Sequence, residues 1–337
     1  MKKPIDKKKL ARVIATWVVT GIMVSVFLLD IVTIILANKY TSQIPLTSGK
    51  PERSETADRI HFLNTANSDC IILESNGHFA MIDSGEGDTN PRKKTDYEGY
   101  TDEVLTYLRE NAVSEDGIVH LDFIIATHMH YDHAGNFEAI ISSDDVVIDK
   151  AYIREYTDSH FSDTEKNGWG NLELYTAIID ALNEKNTPIV HDLPAESFTF
   201  GDFNLRMINT VVPDEITIKS DNDNSIGVVI SKGDDIAFLA ADFTNSSSLE
   251  DYYAEDIGDV DLLKIGHHGY FGSSSASFLR TLKPEIAVCT NYIGKIYPNV
   301  KWNLTMVAKA PIYSTVHRNG ILAEFTGNGI KLRENIM

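Results

Sequence analysis

The chain has 337 residues, 43% of them hydrophobic, enough for one large or two small folded bodies and a targeting segment. Six of its 30 basic and two of its 49 acidic residues precede Asn38, so the remainder holds 24 basic and 47 acidic residues, a net of −23. So acidic a body argues against general nucleic-acid binding, which relies on Lys and Arg at phosphates, and leaves room only for a nuclease with a local basic groove.

Lys2, Lys3, Lys7, Lys8, Lys9 and Arg12 lead into an apolar run over residues 13–37 whose only charge is Asp30. At about 1.5 Å per residue this run crosses a hydrocarbon core of about 30 Å. It is longer than the apolar part of a cleaved signal peptide, and no Ala-x-Ala site follows. The expectation is a transmembrane signal anchor with residues 1–12 as a cytoplasmic basic tail and the rest outside. Asp30 costs about 2–3 kcal/mol at mid-helix and less near an end, which points to the outer leaflet or a contact with another helix. Residues 38–58 turn polar and read as a linker, leaving 59–337 as one catalytic body.

In the body, residues 60–63, 70–74 and 79–82 are short apolar stretches between Asn/Ser/Gly turns and read as antiparallel strands. Residues 102–111 have helical spacing and an acidic start, 121–126 read as one buried strand, and 136–141 and 171–185 as helices. Strands follow within 190–217 and over 225–231, 236–241, 261–265 and 286–290, with a Ser-capped helix at 275–282. Cys70 and Cys289 sit in two of these apolar runs. Two cysteines exclude a disulfide framework and a zinc–thiolate cage, and both read as buried free thiols. This order suits an α/β sandwich of two sheets with helices outside, an αββα architecture.

The chemistry concentrates in Thr127-His128-Met129-His130-Tyr131-Asp132-His133-Ala134-Gly135-Asn136, directly after the strand at 121–126. Imidazole and carboxylate are ligands for zinc, iron or manganese. Alternation in an extended chain sends His128 and His130 to one side, and a turn lets Asp132 and His133 reach a second ion. Asp83 ends one strand, where it could orient a ligand histidine from behind. Asp242 ends another and could bridge two metals, and His267-His268-Gly269 follow a third.

Together, Asp83, the H-x-H-x-D-H run, Asp242 and the His-His-Gly segment resemble the successive metal motifs of the metallo-β-lactamase superfamily, over roughly residues 60–332. Two branches look similar. One is the teichoic-acid phosphorylcholine esterase, through residues 71–83, Thr-His-x-His-x-Asp-His-x-Gly-Asn and 152–158. The other is the hydrolase-like domain of the DNA-uptake competence channel, through L-L-K-x-G-H-H-G and the Asn-Ser-x-Gly-x-Val of 224–229. The esterase likeness extends into ordinary strand residues and ranks first.

The resemblance implies two zinc ions, with manganese or iron as alternatives. His128 and His130 would hold one, Asp132 and His133 with His267 or His268 the other, and Asp242 both; Asp132 and His268 are the residues expected at the reacting atoms. A hydroxide held between the metals would attack phosphorus, so no G-x-S-x-G elbow is needed. The superfamily's usual histidine before the bridging aspartate has no counterpart, since His160 and His191 lie outside any matching motif and read as surface residues. The first site is thus expected to be one ligand short and open to water or phosphate. Loops 86–101 and 155–170 are expected to rim the site. Tyr97, Tyr100 and Trp169 are candidates to cage a quaternary ammonium, and Tyr131, Tyr156 and His317 to touch substrate.

The expected activity is a membrane-anchored extracellular phosphodiesterase or phosphorylcholine esterase on choline-bearing envelope polymers. A surface nuclease, a β-lactamase-like hydrolase and a non-catalytic binding protein are the alternatives.

Overall fold

The computed structural model describes residues 7–43, 45–89, 98–159 and 161–337. Among these, a nine-stranded sheet runs in the order Thr47–Ser48, Ile330–Glu334, Ile321–Phe325, Asp58–Phe62, Cys70–Ser75, His78–Ser84, Phe123–Ala126, Ala151–Ile153, Ile189–Val190. A seven-stranded sheet faces it, in the order Phe198–Phe200, Phe203–Ile208, Gly227–Lys232, Asp235–Leu239, Leu262–Lys264, Ile286–Cys289, Ile312–Ser314.

Alternation explains why the strand sequences are apolar throughout. Ile71 and Leu73 join Phe203, Leu205 and Val228 in the core between the sheets, while Cys70 and Ile72 face the opposite side. There, helices Thr101–Asn111, Phe137–Ser142 and Asn171–Glu184 cover them with Val104, Leu108, Phe137, Ile140 and Ile178. Helices Leu249–Ile257 and Ala276–Leu282 cover the second sheet through Leu249, Ala254, Phe278 and Leu282. The architecture is the expected αββα sandwich, and Cys70 and Cys289 are buried free thiols.

Several elements differ from expectation. The single strand expected at 121–126 is two, Val119–Leu121 and Phe123–Ala126, in different sheets. Asp122 breaks it by donating its backbone N–H to Phe79 at 2.8 Å and pairing its carboxylate with His78 at 2.9 Å. The rim loop at 155–170 contains the helix Asp163–Trp169, whose cap Ser162 accepts from the Glu165 N–H. Helix Leu249–Ile257 and the last three strands were not expected, because runs of three to five apolar residues carry little periodicity.

Strand direction places the site. His78–Ser84 and Phe123–Ala126 are parallel, as are Asp235–Leu239, Leu262–Lys264 and Ile286–Cys289. Their C-terminal ends deliver Asp83, His128, Asp242, His268 and Thr290 to one rim of the sandwich.

The N-terminal helix runs from Lys7 to Gln43, past the polar change at Asn38. Its Lys7–Val32 part is long and apolar enough to cross a membrane. Asp30 has a partner in the body: the buried Lys301 stands 3.5 Å away.

Candidate metal centre

Backbone strain assembles the rim. Asp83, Ala241, His267 and His268 all have positive φ, a conformation that L side chains other than Asn and Asp rarely take. Gly266 must be glycine, because a Cβ there would lie 2.5 Å from the Phe243 carbonyl oxygen.

Each of the four central imidazoles is held from behind. The His133 Nδ1 is 2.7 Å from Asp83, which also accepts from the backbone N–H and hydroxyl of Thr127. With its proton given to Asp83, the Thr127 oxygen faces the His128 Nδ1 at 3.1 Å as acceptor. Thr290 repeats the device: it donates to Asp69 at 2.5 Å and accepts from the His268 Nδ1 at 3.0 Å. The His130 Nε2 is 2.9 Å from Glu165, itself held by the Asp221 N–H. Such outer partners fix tautomer and ring direction, so the inner nitrogens present lone pairs.

The inner atoms converge. The Nε2 atoms of His133 and His268 are 3.1 Å apart, and Asp242 Oδ1 lies 3.1 and 3.4 Å from them. Asp132 Oδ2 is 3.5 Å from the His268 Nε2. A second group joins His128, His130 and the shared Asp242, with ligand atoms all within 4.8 Å of one another. The His128 Nε2, Asp132 Oδ1 and Asp242 Oδ1 are buried without hydrogen-bond partners. Facing lone pairs beside unsatisfied carboxylate oxygens cost free energy unless a cation sits among them, so these residues fit a binuclear metal site.

The electrostatics agree. Burial opposes charge on His133 and His268, yet Asp242 and the carboxylates behind them hold His133 well above the usual histidine range and His268 up to about 9. His128, buried beside His133 and His130, is pushed well below it. Asp242 stays far below the ordinary carboxylate range despite its burial, because His133, His268 and His267 surround it. The field favours positive charge where the ligand atoms meet.

Asp69 lies within reach of His133 and His268 but faces their Nδ1 sides, at 3.7 and 3.3 Å, and ion-pairs with the fully buried Lys264. We read it as a positioning residue rather than a ligand.

The ambiguous histidine pair separates: His268 is buried against His133, whereas His267 is partly exposed on the pocket wall, 3.2 Å from the Asn222 amide. Between the H-x-H-x-D-H run and Asp242, the short helix Asp221–Asn224 supplies Asn222 to the pocket, and no imidazole from that interval lines it among the described residues. His191 is exposed and bonded to the Ile153 carbonyl, while His160 and Tyr97 lie outside the described residues.

The pocket over these ligand atoms has a volume of about 310 Å³ and is walled by Asn67, Glu86, Trp169, Asn222, His267 and Tyr270. Trp169 stacks on His130, ring centres 4.4 Å apart. Of the expected substrate contacts, only Trp169 lines the pocket among the described residues. Tyr131 is packed in the core, Tyr156 lies against Phe161 and Tyr175, Tyr100 packs against the outer-face core, and His317 is bonded to Ser314.

Asp69, Lys264, Glu165, Thr290 and Asn222 were missed. A lone Lys in the otherwise apolar run 262–265 was the available signal, since a buried Lys needs a buried acid. Replacing Glu165 by Ala is expected to weaken metal binding at the His128/His130 site by roughly 10–100-fold, read by chelator competition. Unchanged affinity would mean that Trp169 stacking alone orients His130.

The chain is 25% identical over 240 residues to ComE operon protein 3 of Bacillus subtilis (strain 168), covering 64% of this chain and 28% of that protein. It is 22% identical over 233 residues to Recombination protein 2 of Haemophilus influenzae, covering 69% and 24%. The chain thus spans about a quarter of the length of these curated relatives. Among solved structures, the metallo-beta-lactamase fold protein YhfI from Bacillus subtilis is 13% identical, with a TM-score of 0.46 over 76% of this chain and 96% of that one. The sequence pattern of the Metallo-beta-lactamase superfamily matches residues 63–290, well over half of the length, and the chain belongs to that superfamily.

Proposed function

We propose that the protein is a membrane-anchored binuclear metal hydrolase that cleaves phosphodiesters outside the cell. The observation that carries this is the pair of ligand clusters sharing Asp242 at the floor of one pocket. His128, His130 and Asp242 would hold one ion, and His133, His268, Asp132 and Asp242 the other, with Asp83 orienting His133. Zinc suits these imidazole and carboxylate donors. Two such ions supply a water of pKa lowered toward about 7 and neutralise charge developing on phosphoryl oxygens. With His128, His130 and Asp242 as its protein ligands, the first site would have room for substrate. His267 and Asn222 meet a phosphoryl oxygen from the wall.

The N-terminal helix anchors residues 59–337, and the basic tail keeps its start in the cytoplasm.

The pocket favours a compact ester over a polyanionic strand. No Lys or Arg lines it among the described residues, whereas Trp169 and Tyr270 offer ring faces and Glu86 a carboxylate. That wall suits a quaternary ammonium group, as in a choline-bearing envelope polymer. A second reading, a nuclease, is favoured by the resemblance to the competence-channel domain and by a relative named Recombination protein 2.

The test uses the full chain loaded with zinc or manganese, given p-nitrophenyl-phosphorylcholine, bis-p-nitrophenyl phosphate and single-stranded DNA. Faster turnover of the choline ester supports the first reading. DNA cleavage that falls steeply with salt supports the second. Metal uptake without hydrolysis of any of the three removes the phosphodiesterase reading.

A further inference from the structure

We propose that the body docks on the surface of the bilayer crossed by the N-terminal helix, through the strap of short helices from Tyr292 to Lys309, with the metal pocket beside that contact. This rests on the helix being the anchor proposed above.

Three observations converge. The first is position. Helices Ile293–Lys295, Pro298–Trp302 and the turn Asn303–Ala308 all pack against the N-terminal helix. Lys301 reaches Asp30, which follows Arg12 by a rise of about 27 Å, close to the hydrocarbon thickness of about 30 Å. With the basic end of the helix at one headgroup layer, Asp30 and the strap stand at the other. Along the helix, Asp30 alone among the residues of described burial is not fully exposed, its side chain 33% accessible where Lys301 covers it.

The second is surface chemistry. Tyr292, Tyr297, Trp302 and Met306 are exposed on the strap, and Phe271, 68% exposed, lies 6.0 Å ring to ring from Tyr297. Trp and Tyr with an apolar body and a polar tip are the side chains that favour the membrane interface.

The third is charge. The chain averages one acid in about seven residues, yet residues 286–323 contain none, and Lys295 and Lys309 are exposed on the strap. A body of strongly negative net charge is repelled by anionic headgroups everywhere except on such a face. The alkyl stems of lysines let them reach headgroups while covering aromatic surface, as Lys295 does over the Tyr292 ring at 5.0 Å.

The consequence is a short path from bilayer to pocket. Tyr270, in the pocket wall, is 6.1 Å ring to ring from Tyr297 on the strap. Substrates held close to the membrane surface would meet the metals without leaving it.

The three tryptophans, Trp17, Trp169 and Trp302, make this measurable. The full chain is placed in nanodiscs of phosphatidylcholine and phosphatidylglycerol, with or without bromine on the acyl chains. One form keeps only Trp302 (Trp17→Phe, Trp169→Phe) and the other only Trp17 (Trp169→Phe, Trp302→Phe). Docking predicts blue-shifted Trp302 emission that shallow bromine quenches more than deep bromine and that aqueous iodide does not reach. If bromine quenches Trp17 while Trp302 stays red-shifted and open to iodide, the docking is overturned with the anchor intact. If bromine quenches neither, the anchor falls and the docking with it. In the wild-type chain, lipids with a photoreactive headgroup should cross-link to peptides from 292–309; cross-links confined to the N-terminal helix would overturn the proposal without any substitution.

Discussion

Asp242→Ala is expected to abolish hydrolysis and to empty both metal positions, with kcat/KM reduced by roughly 10³-fold or more, about 4 kcal/mol of transition-state stabilisation. The carboxylate is 2% exposed. One oxygen lies 3.1 Å from the His133 Nε2 and 3.4 Å from the His268 Nε2, and the other 3.9 Å from the His128 Nε2. It is the residue common to both ligand groups, so its loss weakens two ions at once. Metal content per chain and turnover of the preferred ester should fall together. Asp242→Asn separates charge from shape: it keeps an oxygen in place but removes the negative charge that both ions need, and should behave nearly as badly. An Asp242→Ala protein that retains two tightly held metals would refute the bridging role.

Lys264→Met is expected to cost about 3–5 kcal/mol of folding stability, the range for removing one partner of a buried ion pair. Lys264 is fully buried, ion-pairs with Asp69 and donates to the Ala241 carbonyl at 2.9 Å. Burial opposes ionisation of Asp69, yet Lys264, His268 and His133 hold its pKa well below the usual carboxylate range. The sign follows from that depression. The unfolded chain binds this proton more readily, so the contribution is present above about pH 3.9 and fades as pH falls below it. Denaturant unfolding of wild type and variant should therefore differ most near neutrality and converge in acid. The double variant Lys264→Met, Asp69→Leu should recover stability, since an apolar pair can replace a buried ion pair. It should not recover activity, because without Asp69 to take its proton the Thr290 hydroxyl is no longer held as acceptor for the His268 Nδ1. Full recovery of turnover would make Asp69 a packing residue and nothing more.

Much of the fold was legible because αββα layers burden both faces of the inner strands, and strands buried on both sides are apolar throughout. Residues 70–74 and 79–82 therefore stood out. Residues 330–334 did not, because that strand lies near an edge of its sheet and is only partly buried. Asp122 was invisible as a strand break, since one acid in an apolar run reads equally as an exposed turn or a tolerated edge residue.

The sequence by itself pointed to a cluster of metal-type ligands and to a helix long and apolar enough to cross a membrane. H-x-H-x-D-H packs four donors into one loop, where strand alternation and a single turn decide their direction. The Lys7–Val32 apolar run likewise needs nothing but its own length. Tertiary structure alone decided the rest. It chose His268 over His267 for the inner cluster, because two adjacent residues of identical chemistry differ only in which one the strained turn buries. It brought Asp69 and Thr290, 221 residues apart, to one imidazole nitrogen, and gave Asp30 its partner 271 residues away. Such contacts are set by how two sheets close on each other, and no local pattern in the chain encodes them.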